Sequence, residues 1–147
     1  MIISFDLDDT LIPSTKHFDT EQQNLLQRVF GIEKIRLGSI KLIKALQQQG
    51  HKVFIYTTSY RSKNSIWWTF FTYGIAPDKI INQETHNNTL KEKAKNYSKF
   101  PPAFSIDIHV DDSEGVEIEG SRYNFKTILV AANNQEWTEY IRQILKT

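Results

Sequence analysis

The chain of 147 residues contains no cysteine, one methionine, four prolines and six glycines. Without cysteine there is no disulfide, no thiolate nucleophile and no cysteine-held zinc. Charge of either sign is not in excess either: 18 Lys and Arg against 17 Asp and Glu leave a formal +1. That excludes a global basic field for nucleic acid, although local basic surface stays open. No apolar stretch approaches the roughly 20 residues that a membrane helix needs. The amino terminus runs straight into a strand pattern, which leaves no room for a signal or transit peptide, so a cytoplasmic protein is expected. No internal repeat, low-complexity tract or linker breaks the sequence. What is present, 39% hydrophobic and 24% charged residues, is ordinary for a soluble globular chain. The length suits a single domain, residues 1–147, with one core.

Strand and helix patterns alternate. Ile2 to Phe5 is a short apolar run with β-branched and aromatic members, the mark of a buried strand. The pattern predicts a helix over Thr20 to Phe30, with Gly31 able to end it. A second is predicted over Ser39 to Gln49, with Ser39 as N-cap and Gly50 as stop. Val53 to Tyr56 follows as a strand, then an aromatic-rich helix over Asn64 to Tyr73. Lys79 to Ile81 is a short strand, Leu90 to Tyr97 a polar helix, Phe104 to Val110 a strand after Pro101-Pro102. Thr127 to Ala132 is a fifth strand and Gln135 to Leu145 a terminal amphipathic helix. Strands alternating with helices imply a parallel sheet in a three-layer α/β fold.

The chemistry sits at strand ends. Asp6-Leu7-Asp8-Asp9-Thr10 closes the first apolar run, and Asp111-Asp112 closes another at Ile108-His109-Val110. Carboxylates crowded at the carboxyl end of a strand repel one another unless something positive lies among them. In open α/β sheets that is also where ligands bind. A calcium EF-hand loop counted from Asp6 fails, because its sixth and twelfth places hold Leu11 and His17 rather than Gly and Glu. An all-oxygen donor set without His or Cys points to Mg²⁺. Tyr56-Thr57-Thr58-Ser59 ends the second strand, where a hydroxyl and the amides entering the next helix can donate to phosphoryl oxygens. A plain N-cap from Ser59 or Ser62 explains the same residues.

The opening cluster resembles the first motif of the haloacid dehalogenase (HAD) superfamily of phosphotransferases, a hydrophobic strand followed by Asp-x-Asp-x-Thr. The superfamily's later motifs, a Thr or Ser, a Lys and an acidic pair, are matched in order by Thr57, Lys99 and Asp111-Asp112. The resemblance covers Ile2 to about Val130. It implies a Rossmann-like HAD core with five parallel strands in the order 5-4-1-2-3. It implies Asp6 as nucleophile forming an aspartyl-phosphate, Asp8 as acid and base, and Thr57 and Lys99 holding the phosphoryl group. Mg²⁺ would be held by Asp6, the Asp8 carbonyl and Asp111, with Asp112 on a bound water or an amide; the roles of Asp111 and Asp112 can be exchanged. Lys91 is the alternative to Lys99. Thr10 would order the loop.

The resemblance therefore implies a Mg²⁺-dependent phosphatase, with two alternatives: a phosphorylatable receiver-like switch and a non-catalytic scaffold on the same fold. The third strand lacks the Asp that a receiver needs, and both Asp6 and Asp8 are present. Neither gap between motifs leaves the ~40 residues that a separate cap would need, so a capless member is expected. An uncovered site admits a phosphate on a small molecule, a protein or a nucleic-acid end, or is closed by oligomerisation. Pro13 to Phe18 occupies the place of a flap beside the nucleophile. Arg61 can grip a substrate anion, with a solvated side chain as the plainer reading; His109 reads as a second-sphere or a structural histidine. The rings of Ile66 to Tyr73 exceed what one helix face can bury, which leaves aromatic surface for a subunit interface or a substrate platform.

Overall fold

The opening apolar run forms strand β1 (Ile2–Phe5) in the computed structural model, which describes residues 1–146. Ile3, Ser4 and Phe5 are buried on both faces of the sheet, as befits a central parallel strand. β1 pairs with β2 (Lys52–Tyr56) on one side and β4 (Ile108–Asp111) on the other. β3 (Lys79–Ile81) and β5 (Lys126–Leu129) form the edges, so the parallel sheet runs β3-β2-β1-β4-β5. Read from the opposite edge, this is the expected order 5-4-1-2-3. The chain leaves β1 toward one edge and returns at β4 toward the other. The crevice outside the carboxyl ends of β1 and β4 is thus the topological switch point.

Period-two alternation divides the core. Ile3, Phe5, Val53, Ile55, Ile108, Val110 and Ile128 pack on one face with Leu42, Ile43 and Leu46 of α2 (Ser39–Gln48). Ile66 and Phe70 of α3 (Lys63–Thr72) and Trp137, Ile141 and Leu145 of α6 (Trp137–Leu145) complete that cluster. The other face carries a smaller group, Phe54, Tyr56, Ile81, Phe104 and Ile106. It also buries a polar pair, Ser4 and His109, whose Oγ and Nδ1 lie 2.7 Å apart.

Several local expectations give way. The helix expected over Thr20 to Phe30 shrinks to α1 (Leu25–Val29), because Thr20 is held in an antiparallel bridge with Arg36 and a capping box at Asn24 sets the start. Ser39 is not the N-cap of α2. Gly38 stands there at φ 91°, and its amide and that of Ile40 donate to the Glu21 carboxylate at 3.0 and 3.2 Å. The Ser39 hydroxyl is left buried without a partner among the described residues. A carboxylate from a distant segment thus does the capping, which no local pattern encodes. The polar helix moves forward to α4 (Gln83–Leu90), capped by Asn82, and Lys91–Asn96 tightens into a 3₁₀ turn. Pro101–Phe104 is a second 3₁₀ turn, so the strand expected from Phe104 starts only at Ile108.

α5 (Glu114–Tyr123) has no counterpart in the sequence reading. Two glycines lower its intrinsic helix propensity, and only Val116 and Gly120 are buried. Gly120 is required by packing: a Cβ there would stand 2.7 Å from Thr127 Oγ1 and 2.8 Å from the Phe125 carbonyl.

Candidate active site

The Asp6 amide donates to the Val110 carbonyl at 2.8 Å, which extends the β1–β4 ladder by one residue and fixes the first carboxylate beside the second strand end. The chain then turns. Leu7 and Leu11 are buried, the amides of Leu11 and Ile12 return to the Leu7 carbonyl, and Asp9 takes φ 63°. The Asp9 carboxylate accepts from the amides of Ser14 and Lys16 and from the Thr15 hydroxyl. It shapes the 13–18 loop so that Lys16 Nζ reaches Asp112 Oδ2 at 2.6 Å. Thr10 donates to Asp112 at 3.1 Å and, more weakly, to Asp6 at 3.5 Å.

Lys99 lies between the two 3₁₀ turns, and three side chains hold that segment. The Ser98 and Lys99 amides donate to Glu119 of α5, and the Phe100 amide donates to the Tyr56 hydroxyl at 2.9 Å. The Tyr56 hydroxyl in turn meets His86 Nδ1 at 2.6 Å, while His86 Nε2 meets the Ala94 carbonyl at 3.1 Å. This buried chain aims Lys99 Nζ between Asp6 at 2.5 Å and Asp111 at 3.2 Å. Lys91 lines a different cleft, with Tyr60, Gln83 and Asn87, and does not meet the carboxylates.

Asp6, Asp111 and Asp112 each offer an oxygen, and these atoms lie within 4.8 Å of one another. That hard-oxygen donor set fits Mg²⁺, which binds through one or two carboxylates and keeps water in its other positions. The Asp8 carboxylate is not part of this group. It faces Arg61, whose Nη1 and Nη2 reach its two oxygens at 2.9 and 3.0 Å, and Nη2 also reaches Glu33 at 2.7 Å. Arg61 is therefore ion-paired and not simply solvated. Thr57 is buried at the end of β2 and its hydroxyl accepts from the Ser59 amide at 3.0 Å. Its exposed neighbour Thr58 lines the cleft of about 270 Å³ that holds Asp6, Asp8, Lys99, Asp111 and Asp112.

Burial, and then the Asp111 charge, push the Asp6 carboxyl up to about 6, with Lys99 pulling it back. Asp111 is also buried, yet the hydrogen bond from His109 and the Lys99 charge hold it well below the usual carboxylate range. Burial lowers His109, which favours the neutral ring. A neutral ring whose Nε2–H donates to Asp111 at 2.9 Å leaves Nδ1 to accept from Ser4, and both contacts are then satisfied. Lys99 stays charged: burial opposes its proton, and the two carboxylates outweigh burial. Glu33 and Lys16 enter the site with no role expected from the sequence, Arg61, expected as an anion grip or a solvated side chain, pairs with Asp8, and His109 holds Asp111. The period-two position of His109 beside Asp111 was its one signal; those of the others lie in contacts between distant segments.

In chelator, Asp6 should titrate near pH 6 rather than near 3.8. The folded carboxyl holds its proton more tightly than the unfolded one. Its contribution to stability is thus full below pH 4 and is lost as pH rises through 6. Carboxyl-carbon NMR of Asp-labelled protein in EDTA tests this, and a midpoint near 4 would contradict it.

Five parallel strands in the order β3-β2-β1-β4-β5, layered with helices, make a Rossmann-like α/β fold. A solved structure of a predicted HAD-like family hydrolase from Porphyromonas gingivalis is similar over 99% of this chain and 98% of that chain, at 14% identity and a TM-score of 0.54. That likeness carries the fold. No family model and no curated protein matches the chain.

Proposed function

We propose that this chain is a Mg²⁺-dependent phosphomonoester hydrolase that works through an aspartyl-phosphate on Asp6. The observation that carries this reading is the meeting of Asp6, Lys99, Asp111 and Asp112 at the switch point, from segments up to 106 positions apart in the numbering. Asp6, Asp111 and Asp112, with the Asp8 carbonyl, would hold Mg²⁺, which when bound supplies shielding between an anionic phosphate and the carboxylate attacking it.

An Asp6 oxygen attacks phosphorus as the bond to the leaving oxygen breaks, and Asp8, with one carboxyl oxygen turned from Arg61 to the leaving group and the other still held by it, gives that oxygen a proton. Asp8 then takes a proton from water, which attacks the aspartyl-phosphate and releases inorganic phosphate with Asp6 restored. Lys99 offsets the charge on Asp6 and the phosphoryl oxygens. The hydroxyl of Thr57, or of Thr58 at the cleft wall, donates to a phosphoryl oxygen. The substrate is a phosphomonoester, on a small molecule, a protein or a nucleic-acid end.

Turnover of an aryl phosphate with Mg²⁺ and its loss in EDTA test the reading. Failure to hydrolyse the surrogate combined with failure to capture beryllofluoride and Mg²⁺ would favour a non-catalytic scaffold. The Arg61 clamp makes a finer prediction. Arg61→Ala frees the Asp8 carboxylate to swing, so kcat should fall by roughly 10²-fold for alkyl phosphates, whose leaving oxygen needs the proton most. For nitrophenyl phosphate the loss should be under tenfold. Equal losses on both substrates would remove the orienting role of Arg61.

A further inference from the structure

α1 is built inside out. Its one buried residue is Gln27, whose Nε2 donates to the carbonyl and hydroxyl of Thr72, both at 3.2 Å. Leu25, Leu26, Val29 and Phe30 instead point to solvent, 66–75% exposed. On the neighbouring α3, Trp67 stacks on Phe71 with centroids 4.6 Å apart, and Trp68 stands edge-on to both. These three rings are 36–55% exposed. A groove of about 570 Å³, lined by Leu26, Gln27, Phe30, Ile32, Trp68 and Thr72, joins the two helices into one surface.

We propose that this α1–α3 face is the interface of a homodimer of the chain. Its seven apolar side chains are 36–75% exposed, and with an aromatic side chain offering ~150–250 Å² in full they present on the order of 800 Å² together. This is more than the ~300–600 Å² typical of a monomer's largest apolar patch and about what one partner contributes to a standard-size interface. The chemistry of the face selects a second copy over other occupants. Among the residues of α1 and α3, only Arg28 and Lys63 are charged. A nearly uncharged apolar patch can meet itself across a two-fold without self-repulsion, and permanent homodimer interfaces have this apolar character. A specific foreign partner would be steered by complementary charge, which this face does not offer. Two cations also fall short of the 4–8 that mark a polybasic membrane-binding segment.

The interface stands independently of the proposed chemistry, yet it borders the site. α1 leads through Gly31 and Ile32 to Glu33, and α3 starts two residues after Arg61; these are the two residues that clamp one another beside Asp8. A second copy seated on both helices braces that clamp.

Sedimentation velocity at 1–50 μM should show a particle of twice the chain mass. Phe30→Glu and Trp68→Glu should each convert it to a folded monomer by circular dichroism. Ile118→Glu, at an exposed apolar position on α5, should leave the dimer intact. The wild type provides a second reading that needs no variant. Of the three tryptophans, Trp137 is buried in the core and Trp67 and Trp68 are on the proposed interface. Iodide should therefore quench little of the fluorescence. A monomeric wild type, a dimer that survives Trp68→Glu, or strong iodide quenching would overturn the proposal. So would a solution monomer that binds phosphatidylcholine vesicles through this face.

Discussion

With Asp6 as the proposed nucleophile, replacing it with Asn is expected to lower turnover of a phosphomonoester by on the order of 10⁴-fold or more while leaving the chain folded. Asparagine keeps the volume of the side chain but has no anionic oxygen to attack phosphorus. Two opposed changes accompany it in the buried site. The cost of holding a desolvated carboxylate beside Asp111 disappears, and Lys99 loses one of its two anionic partners. Lys99 keeps Asp111 at 3.2 Å, so the ammonium is not stranded. The net change in stability should be about 1 kcal/mol in either direction, a shift of a few degrees in Tm. Single-turnover assays with an aryl phosphate, beside thermal unfolding of the same sample, give both readouts. Retention of more than a hundredth of wild-type turnover would mean that Asp6 is not the nucleophile. The reaction would then need water as the direct attacker.

Lys99→Met should act in the opposite way, on stability before chemistry. The Lys99 side chain is 3% exposed, and its ammonium bridges two carboxylates that are themselves almost fully buried. Methionine fills the same volume but leaves both anions without their cation. Breaking a buried ion pair by removing one partner costs about 3–5 kcal/mol. For a chain of this size that is a fall of roughly 10 °C in Tm. Part of this loss should return with Mg²⁺, because a cation held by Asp6, Asp111 and Asp112 restores the missing positive charge. Part should also return as pH falls, and from a higher pH than the wild type's 6, because Lys99 is the group that pulls the Asp6 carboxyl down and without it Asp6 takes up its proton sooner. Urea unfolding in EDTA and in Mg²⁺ measures the difference. Equal stability of the variant and the wild type in EDTA would mean that the site relaxes to admit water.

The fold was legible where local pattern and tertiary environment agree. Apolar runs such as Ile2 to Phe5 and Val53 to Tyr56 become central strands because parallel strands buried on both faces tolerate little polarity. Legibility failed where a distant residue overrode local preference. Glu21 displaces Ser39 as the cap of α2, Gly120 sits inside a helix because Phe125 and Thr127 leave no room for a Cβ there, and α1 turns its apolar side outward. Propensity and periodicity describe a segment alone and contain none of these approaches.

The candidate site divides in the same way. Sequence alone determined that carboxylates stand at the ends of two apolar strands. A buried strand cannot carry them internally, so polar chemistry must gather where the strands stop. Which groups meet was implied only by the family resemblance, and the tertiary structure is what brings them together. Lys99 rather than Lys91 lies between Asp6 and Asp111 because Glu119, Tyr56 and His86 hold its segment, and it meets Asp6 across 93 positions in sequence. Arg61 reaches Asp8 across 53 positions, and Lys16 reaches Asp112 across 96. Charges pair over such separations only after the hydrophobic core has set the strand order. Their pairing is a consequence of packing that no short window of sequence records.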